Sequence, residues 1–215
     1  MLDFDRFDQM LAENRIIRDD WVGTDAEGRE TACVLAALVP ACGAAQTASA
    51  CPAEDLPKWL AELIPSLDDA TSPDGWRDRM VRLGAALRLT VGWSPQQWRR
   101  CEARVHIAIL TEARSHVTAD YESAIAAIDG VTALWRRVEV GDEPGSAEWA
   151  KAKAAAAAAR SWTAAGSWAA ARAVAWAAAK AAAAAEAAAG SWAAAGWDRI
   201  CDGVIAALEV SDAPH

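Results

Sequence analysis

The sequence lacks the short motifs that usually mark a catalytic or phosphate-binding site. Its 215 residues contain no Gly-x-Ser-x-Gly, P-loop, Gly-x-Gly-x-x-Gly or His-Glu-x-x-His pattern. The cysteines, an odd number, form no close pair of the kind that binds structural zinc; they are Cys33, Cys42, Cys51, Cys101 and Cys201. We therefore expect a protein that is not an enzyme and that needs no metal or other cofactor.

The chain also lacks an apolar leader, a membrane-length run and an excess of positive charge. The first ten residues, MLDFDRFDQM, are acidic and contain no signal-peptide core. Charged residues interrupt the Ala-rich stretch long before the ~20 apolar residues that a membrane helix needs. The net charge of −9 argues against nonspecific nucleic-acid binding, which requires a basic face. We predict a cytoplasmic protein with reduced thiols and no membrane contact.

Alanine and tryptophan dominate the stretch from Ser146 to about Ile200. Between Ala147 and Ala195, 30 of 49 residues are Ala, with Trp at intervals. Ala is the strongest helix former, so this composition predicts helix rather than disorder. Gly-Ser pairs at 166–167 and 190–191 divide the run, and we predict helices over about 147–165, 168–189 and 192–208. The alternative is one long helix that tolerates both glycines.

Helical periodicity also runs through the first 140 residues. Predicted helices span 2–13, 30–39 and 57–64, the last ended by Pro65, with a loop at 41–53. Three more helices begin at the caps Ser72, Ser94 and Thr118. Alternating β-branched runs are missing, so we predict an all-α multi-helix bundle with an Ala/Trp-rich C-terminal helical subdomain. The expected divisions are an N-terminal helical domain (1–140), a linker (141–146), the Ala/Trp-rich helices (147–210) and a tail (211–215).

Three of the predicted helices carry Trp followed directly by Arg. The eight residues concerned are Trp76, Arg77, Trp98, Arg99, Arg100, Trp135, Arg136 and Arg137. Arg stacks on aromatic rings and binds phosphate through paired hydrogen bonds, so these residues are our candidate site for a nucleotide ligand. The alternative is that each Trp is a core residue and its Arg neighbours pair with the acidic first third. Adjacent helix residues point about 100° apart, which favours this alternative.

Two smaller groups of titratable residues are candidates for reactive sites. Glu102 and His106 are spaced to share a helix face, and His116 lies in the following turn, but a metal would need more ligands. We interpret them as an ion pair and a histidine at the edge of the core. Asp68 and Asp69 could act as paired carboxylates, although we expect them in an exposed turn that leads to the Ser72 cap.

Several segments resemble a known group of proteins. They are GRETACVLAAL, CPAEDLPKWLAELIPSLDDA and the C-terminal Trp-Ala-Ala-Ala units. The chain resembles Ala/Trp-rich uncharacterised proteins that are common in tailed phages and prophages, some of them labelled putative immunity proteins. The resemblance implies an accessory role in a phage or mobile element and supplies no catalytic residues.

Charge distribution suggests where a partner binds. Residues 1–75 hold 15 acidic and 5 basic residues, whereas residues 76–138 hold 6 acidic and 10 basic ones. Our leading hypothesis is a non-enzymatic binding protein of phage or mobile-element type that neutralises a host or toxin protein through this acidic first third, as an immunity or anti-defence inhibitor. Alternatives are a sponge that sequesters a nucleotide through the Trp-Arg helices and a metal-dependent enzyme acting at Glu102 and His106. We also expect homo-oligomers, because a flat Ala-rich face gains most contact from a second copy.

Overall fold

The structure, a computed structural model, describes residues 2–117, 121–162 and 194–210. Over these ranges the chain is predominantly helical, which confirms the all-α multi-helix prediction. The helices are α1 (Phe4–Ala12), α2 (Val34–Leu38), α3 (Pro40–Ala45), α4 (Lys58–Ala70), α5 (Trp76–Leu89), α6 (Pro95–Ser115), α7 (Glu122–Glu139), α8 (Ser146–Trp162) and α9 (Ala194–Glu209), with a 3₁₀ helix at Ala48–Ala50. None of the described helices is long and apolar enough to cross a membrane.

The chain divides into two compact units, Met1–Val91 and Gly92–His215. The expected linker at 141–146 therefore lies inside the second unit. Gly141 adopts a left-handed conformation in the turn after α7 (φ 86°), and α8 then packs against α7. This turn joins two helices that share a core.

The core of the first unit is built around α2, whose five residues are all buried. Helices α1 and α4 pack against α2, and α5 packs against α1. The backbone of α5 approaches α1 closely at Gly84, where a Cβ would lie 2.5 Å from Cε1 of Phe7. Because glycine has no Cβ, the backbone of α5 can approach Phe7 this closely.

A small sheet interrupts the helix that was predicted over residues 30–39. Strands β1 (Val22–Thr24) and β2 (Glu30–Ala32) pair antiparallel, and α2 begins only at Val34. The Cys33 N–H donates to the carbonyl of Trp21 at 2.9 Å, which holds this residue outside the helix. Its sulfur instead caps α2 by accepting from the Ala36 N–H at 3.4 Å. The prediction of one continuous helix was wrong because periodicity does not show this cross-strand pairing.

Three other boundaries differ from prediction in the first unit. The expected loop at 41–53 contains α3 and the 3₁₀ helix. Helix α4 does not end at Pro65 but continues to Ala70, because Leu67 and Asp68 on its last turn are fully buried and their packing outweighs the hydrogen bond that proline removes. Helix α5 starts after Gly75, in a left-handed conformation (φ 74°), and not at the Ser72 cap.

Helix α6 is the centre of the second unit, with α7 and α9 packed against it. Its start follows prediction: Ser94 and Gln97 form a capping box around Pro95. Helix α8 starts one residue before the first predicted Ala/Trp-rich helix, and α9 ends one residue after the third, while the predicted end at 165 and start at 192 lie outside the described residues. The predicted helix at 168–189 and the Thr118 cap lie outside the described residues, and α7 begins at Glu122.

Candidate functional site

The first Trp-Arg pair lies at the start of α5 and makes two different contacts. The indole Nε1 of Trp76 donates a hydrogen bond of 3.0 Å to Oδ1 of Asp68. Arg77 is exposed, and its Nη1 donates to Oδ1 of Asn14 at 2.5 Å. Trp76 is therefore engaged by a carboxylate of its own unit, and Arg77 by a side-chain amide on the surface.

Asp68 is a buried carboxylate that joins three helices. It lies on α4 with 0% of its surface exposed, accepts from Trp76 on α5, and accepts from the Val34 N–H at the start of α2 at 3.0 Å. Burial raises the pKa of Asp68 to about 7, and the two donors oppose that rise only in part. The expectation that Asp68 lies in an exposed turn was wrong. Its place in the stripe formed with Ile64 and Leu67 indicates burial once α4 continues past Pro65.

The second Trp-Arg group lies in the first turns of α6. Trp98 is half-buried and contacts Trp93 edge-on, with ring centroids 5.0 Å apart. The Arg99 guanidinium donates to Glu102 at 2.8 Å and also to Glu143. Arg100 is half-buried on the same helix, close to Gly141. The charge of Arg99 is thus already balanced by two carboxylates.

Trp135 of α7 packs against three side chains from the neighbouring helices α6 and α8. We call the four residues Arg99, His106, Trp135 and Trp149 the Trp135 cluster. His106 stacks on Trp135 at 4.1 Å and 21°, and Trp149 meets the same indole edge-on at 5.0 Å. The Arg99 guanidinium lies over the indole, 5.0 Å from its centroid. Trp135 is 1% exposed, and its Nε1 has no hydrogen-bond partner among the described residues. The cluster is a core feature that joins the three helices.

The Glu102 and His106 pair, considered for metal binding, belongs to this same region. His106 Nε2 lies 3.8 Å from Oε1 of Glu102, and both residues are buried. Burial alone would raise the pKa of Glu102, but the neighbouring His106 and Arg99 outweigh it and hold that pKa below its usual value. The described part of the chain contains no group of three or more potential metal ligands.

The third Arg pair, at the end of α7, lies on the surface. Arg137 is held by Asp142 at 2.6 Å and by Glu148 at 2.5 Å, and Arg136 is exposed. Trp76 and Arg77 belong to the first unit and the other six candidate residues to the second. Within the second unit, the structure brings Arg99 into contact with Trp135, a pairing that adjacency in the sequence did not suggest.

The exposed surface of the first unit offers a different candidate, the acidic segment of residues 19–30. It holds five carboxylates and one basic residue. Asp19, Asp20, Glu27 and Glu30 are exposed, while Trp21 is half-buried beside two of them. The segment includes the β-hairpin, whose turn is fixed by Asp25 through hydrogen bonds from the backbone of Glu27 and Arg29. This surface carries negative charge and one aromatic ring.

Sequence reasoning missed two contributors to the interior. Trp149 was assigned to the Ala/Trp-rich subdomain, yet it completes the Trp135 cluster of the preceding helices. Glu112 is buried on α6, where it accepts two hydrogen bonds from Arg199 of α9 and pairs with His116 at 2.7 Å. Only the spacing of Glu112 and His116 was visible in the sequence.

No family model, curated protein or solved structure matches this chain.

Proposed function

We propose that this protein is a non-enzymatic binding protein that neutralises a host or toxin protein, and that the acidic segment 19–30 is its partner surface. The observation that carries the proposal is the run of exposed carboxylates in the same segment as the half-buried Trp21. The phage or mobile-element setting rests on the family resemblance alone.

Charge favours a basic partner. The unit Met1–Val91 holds 16 acidic and 9 basic residues, a net charge of −7 out of −9 for the whole chain. A surface of one sign attracts partners of the opposite sign and accelerates association. A basic protein surface, such as one that contacts nucleic acid, fits this charge.

Trp21, in the same segment as these charges, can contribute binding energy that electrostatics alone does not supply. Trp is among the residues that contribute most binding energy at protein interfaces, whereas charged residues at the rim contribute mainly to rate and specificity. Trp21 is in position for that role, since its backbone is fixed by hydrogen bonds to Cys33 and to the side chain of Asp20. The backbone of Trp21 is therefore already held in the free protein.

The nucleotide-sponge alternative receives less support from the contacts. A bound phosphate would have to displace Glu102 and Glu143 from Arg99, or Asp142 and Glu148 from Arg137. Displacing carboxylates would cost much of what a phosphate gains. Arg136→Ala tests this alternative, because Arg136 is exposed and a nucleotide site there would lose its ligand without a change in melting temperature.

The test of the proposal is capture of a partner from host lysate by immobilised full-length protein. We expect a basic protein to bind the wild type, to bind Glu27→Lys at least several-fold more weakly, and to dissociate in high salt, which screens exposed charges. Glu209→Lys is the matched control, since Glu209 is also exposed but lies at the end of α9. Capture of no partner above background, or equal weakening by both variants, would contradict the proposal.

A further inference from the structure

Three Asp-Gly sequences occur in the chain, and the structure places them in different surroundings. They are Asp74-Gly75, Asp129-Gly130 and Asp202-Gly203. The second lies within α7 and the third within α9, whereas the first lies in the turn between α4 and α5. An aspartyl side chain reacts most readily with the following backbone nitrogen when the next residue is glycine, because glycine has no side chain to obstruct the approach.

The first of these sequences lies in one exposed turn. The Trp76 N–H donates to the Pro73 carbonyl at 3.3 Å, and Gly75 between them has φ 74° and ψ 3°. Asp74 and Gly75 are both exposed. In the described part of the chain, Asp74 accepts hydrogen bonds through its backbone carbonyl. No partner in that part of the chain therefore holds its carboxylate away from the Gly75 nitrogen.

The second sequence is equally accessible to solvent but has less backbone freedom. Asp129 has 62% of its side chain exposed, and a Cβ built on Gly130 would meet nothing within 4 Å. Both residues lie inside α7, where each N–H donates to the carbonyl four residues earlier. Closing a ring between the side chain and the next backbone nitrogen would break that helical bond. Secondary structure, and not access to solvent, therefore distinguishes the two sequences.

We propose that Asp74-Gly75 is a spontaneous modification site, at which Asp74 rearranges to isoaspartate. The backbone nitrogen of Gly75 attacks Cγ of Asp74, a carbon–nitrogen bond forms, and the carboxylic acid OH leaves as water with the amide proton. Water then adds to the backbone carbonyl carbon of the cyclic imide and breaks its bond to nitrogen, so that the chain runs through Cβ and Cγ of Asp74. The reaction needs no oxidant, and its product has the mass of the starting protein.

Isoaspartate would loosen the start of α5. It adds one carbon atom to the backbone within the turn, and this changes the separation of the Trp76 N–H from the Pro73 carbonyl. Trp76 also joins α5 to the buried Asp68, because its indole Nε1 donates to that carboxylate at 3.0 Å. We therefore expect the isomerised protein to melt at a lower temperature than the freshly purified protein.

Prolonged incubation of the full-length protein at pH 5, followed by digestion, chromatography and mass spectrometry, tests the proposal. We expect the peptide that contains Asp74 to give two peaks of equal mass, of which an isoaspartyl methyltransferase labels one. The peptide that contains Asp129 is the internal control and should gain isoaspartate several-fold more slowly. Asp74→Glu should remove the second peak, because a glutamyl side chain closes a larger ring far more slowly.

The dependence of the rate on pH gives a second readout. The carboxyl group loses an oxygen in the first step, and a protonated carboxyl does so more readily than a carboxylate. We therefore expect the second peak of the Asp74 peptide to grow more slowly at pH 8 than at pH 5.

Two results would overturn the proposal. One is isoaspartate that accumulates at Asp129 as fast as at Asp74. The other is an unmodified Asp74 under conditions in which a synthetic peptide of residues 71–79 isomerises, since the folded turn would then protect it. Should Asp74→Glu fail to fold, the peptide map of the wild-type protein decides the question by itself, and neither outcome depends on partner binding.

Discussion

Among single residues, Asp68 has the most consequential environment. A carboxylate with no exposed surface usually needs a cation, but Asp68 receives its hydrogen bonds from a backbone amide and an indole. Arg18 is nearby, yet it donates to the backbone carbonyls of Asp68, Asp69 and Thr71. Neutral donors compensate the charge only in part, which is why burial dominates the pKa of Asp68.

Asp68 should make stability depend on pH. Because its pKa is raised to about 7 in the folded state, the folded protein binds more protons than the unfolded chain between about pH 4 and pH 7. This contribution to the free energy of unfolding is complete below pH 4 and is lost as pH rises through 7, with a slope of at most about 1.4 kcal/mol per pH unit. Urea unfolding at pH 5 and pH 8 measures it.

Asp68→Asn should remove this dependence. The variant lacks one of the two side-chain oxygens that accept hydrogen bonds, so it should be less stable than the wild type at pH 5. The difference in the free energy of unfolding between the two proteins should be smaller at pH 8. Glu54→Gln is the control, since Glu54 is exposed and its loss should leave the slope unchanged. An identical pH slope for wild type and Asp68→Asn would contradict the assignment.

Close backbone approaches and one partly exposed charge pair position the helices within each unit. In the first unit, Gly84 lets α5 approach Phe7 of α1. In the second, Gly203 lets α9 approach α6, where a Cβ would lie 2.8 Å from that of Ala108. The same helix pair is joined by Arg199 and Glu112. Small residues and one charge pair thus decide which helix faces meet.

The effect of adding one methyl group should differ between two helical glycines. Gly84→Ala places a Cβ against Phe7 and should lower the free energy of unfolding by about 1–3 kcal/mol through overpacking. Gly130→Ala, on an exposed face of α7 with nothing within 4 Å, should raise it by up to about 1 kcal/mol through helix propensity. Denaturant unfolding of both variants checks this. A stabilised Gly84→Ala protein would contradict the packing of α1 on α5.

The charge pair between α6 and α9 should be measurable by a double-mutant cycle. Glu112 is buried and Arg199 has 56% of its side chain exposed, so we expect Arg199→Ala to lower the free energy of unfolding by less than the loss of a fully buried pair would. Hydrogen bonding by Arg199 is the main cause that lowers the pKa of Glu112. Stability from this pair is therefore present above about pH 4.3 and is lost as pH falls through the lowered value. A coupling of zero between Arg199→Ala and Glu112→Gln would rule out the contact.

On the scale of the whole molecule, the chain consists of two units that each contain their own core. In the first unit, helices α1, α2, α4 and α5 pack together, and in the second unit α7 and α9 pack on α6. Most of the negative charge belongs to the first unit, whereas the Ala/Trp-rich helices belong to the second. The proposed partner surface and the Ala-rich helices for which we expect self-association therefore lie in different units.

The first unit should fold by itself. We expect a fragment of residues 1–91 to show helical circular dichroism and one cooperative thermal transition, because its buried residues contact one another. A fragment with a noncooperative transition would contradict the division into units.

Self-association remains a prediction of the Ala-rich composition. Multi-angle light scattering of the full-length chain should give a mass that is a multiple of 22.7 kDa. A monomer at high concentration would remove this expectation, whereas a dimer that dissociates on dilution would support it.

Elements with a complete local signal could be predicted from the sequence. The capping box at Ser94 and Gln97 places the start of α6 correctly, and the Ala-rich run predicts α8. The sheet, the continuation of α4 past Pro65 and the start of α5 could not be predicted, since each depends on contacts with distant residues. For the candidate site, the sequence shows that Trp and Arg recur as neighbours. It does not show which Trp and Arg side chains come into contact.

The sequence alone determines that this protein is helical, acidic in its first third and rich in Ala and Trp near its end, because propensity and charge are local properties. Tertiary structure alone decides that Asp68 is buried and that the Arg99 guanidinium lies over the Trp135 indole. These outcomes depend on which helix faces pack together, and packing is settled by burial summed over the whole core, not by any one segment.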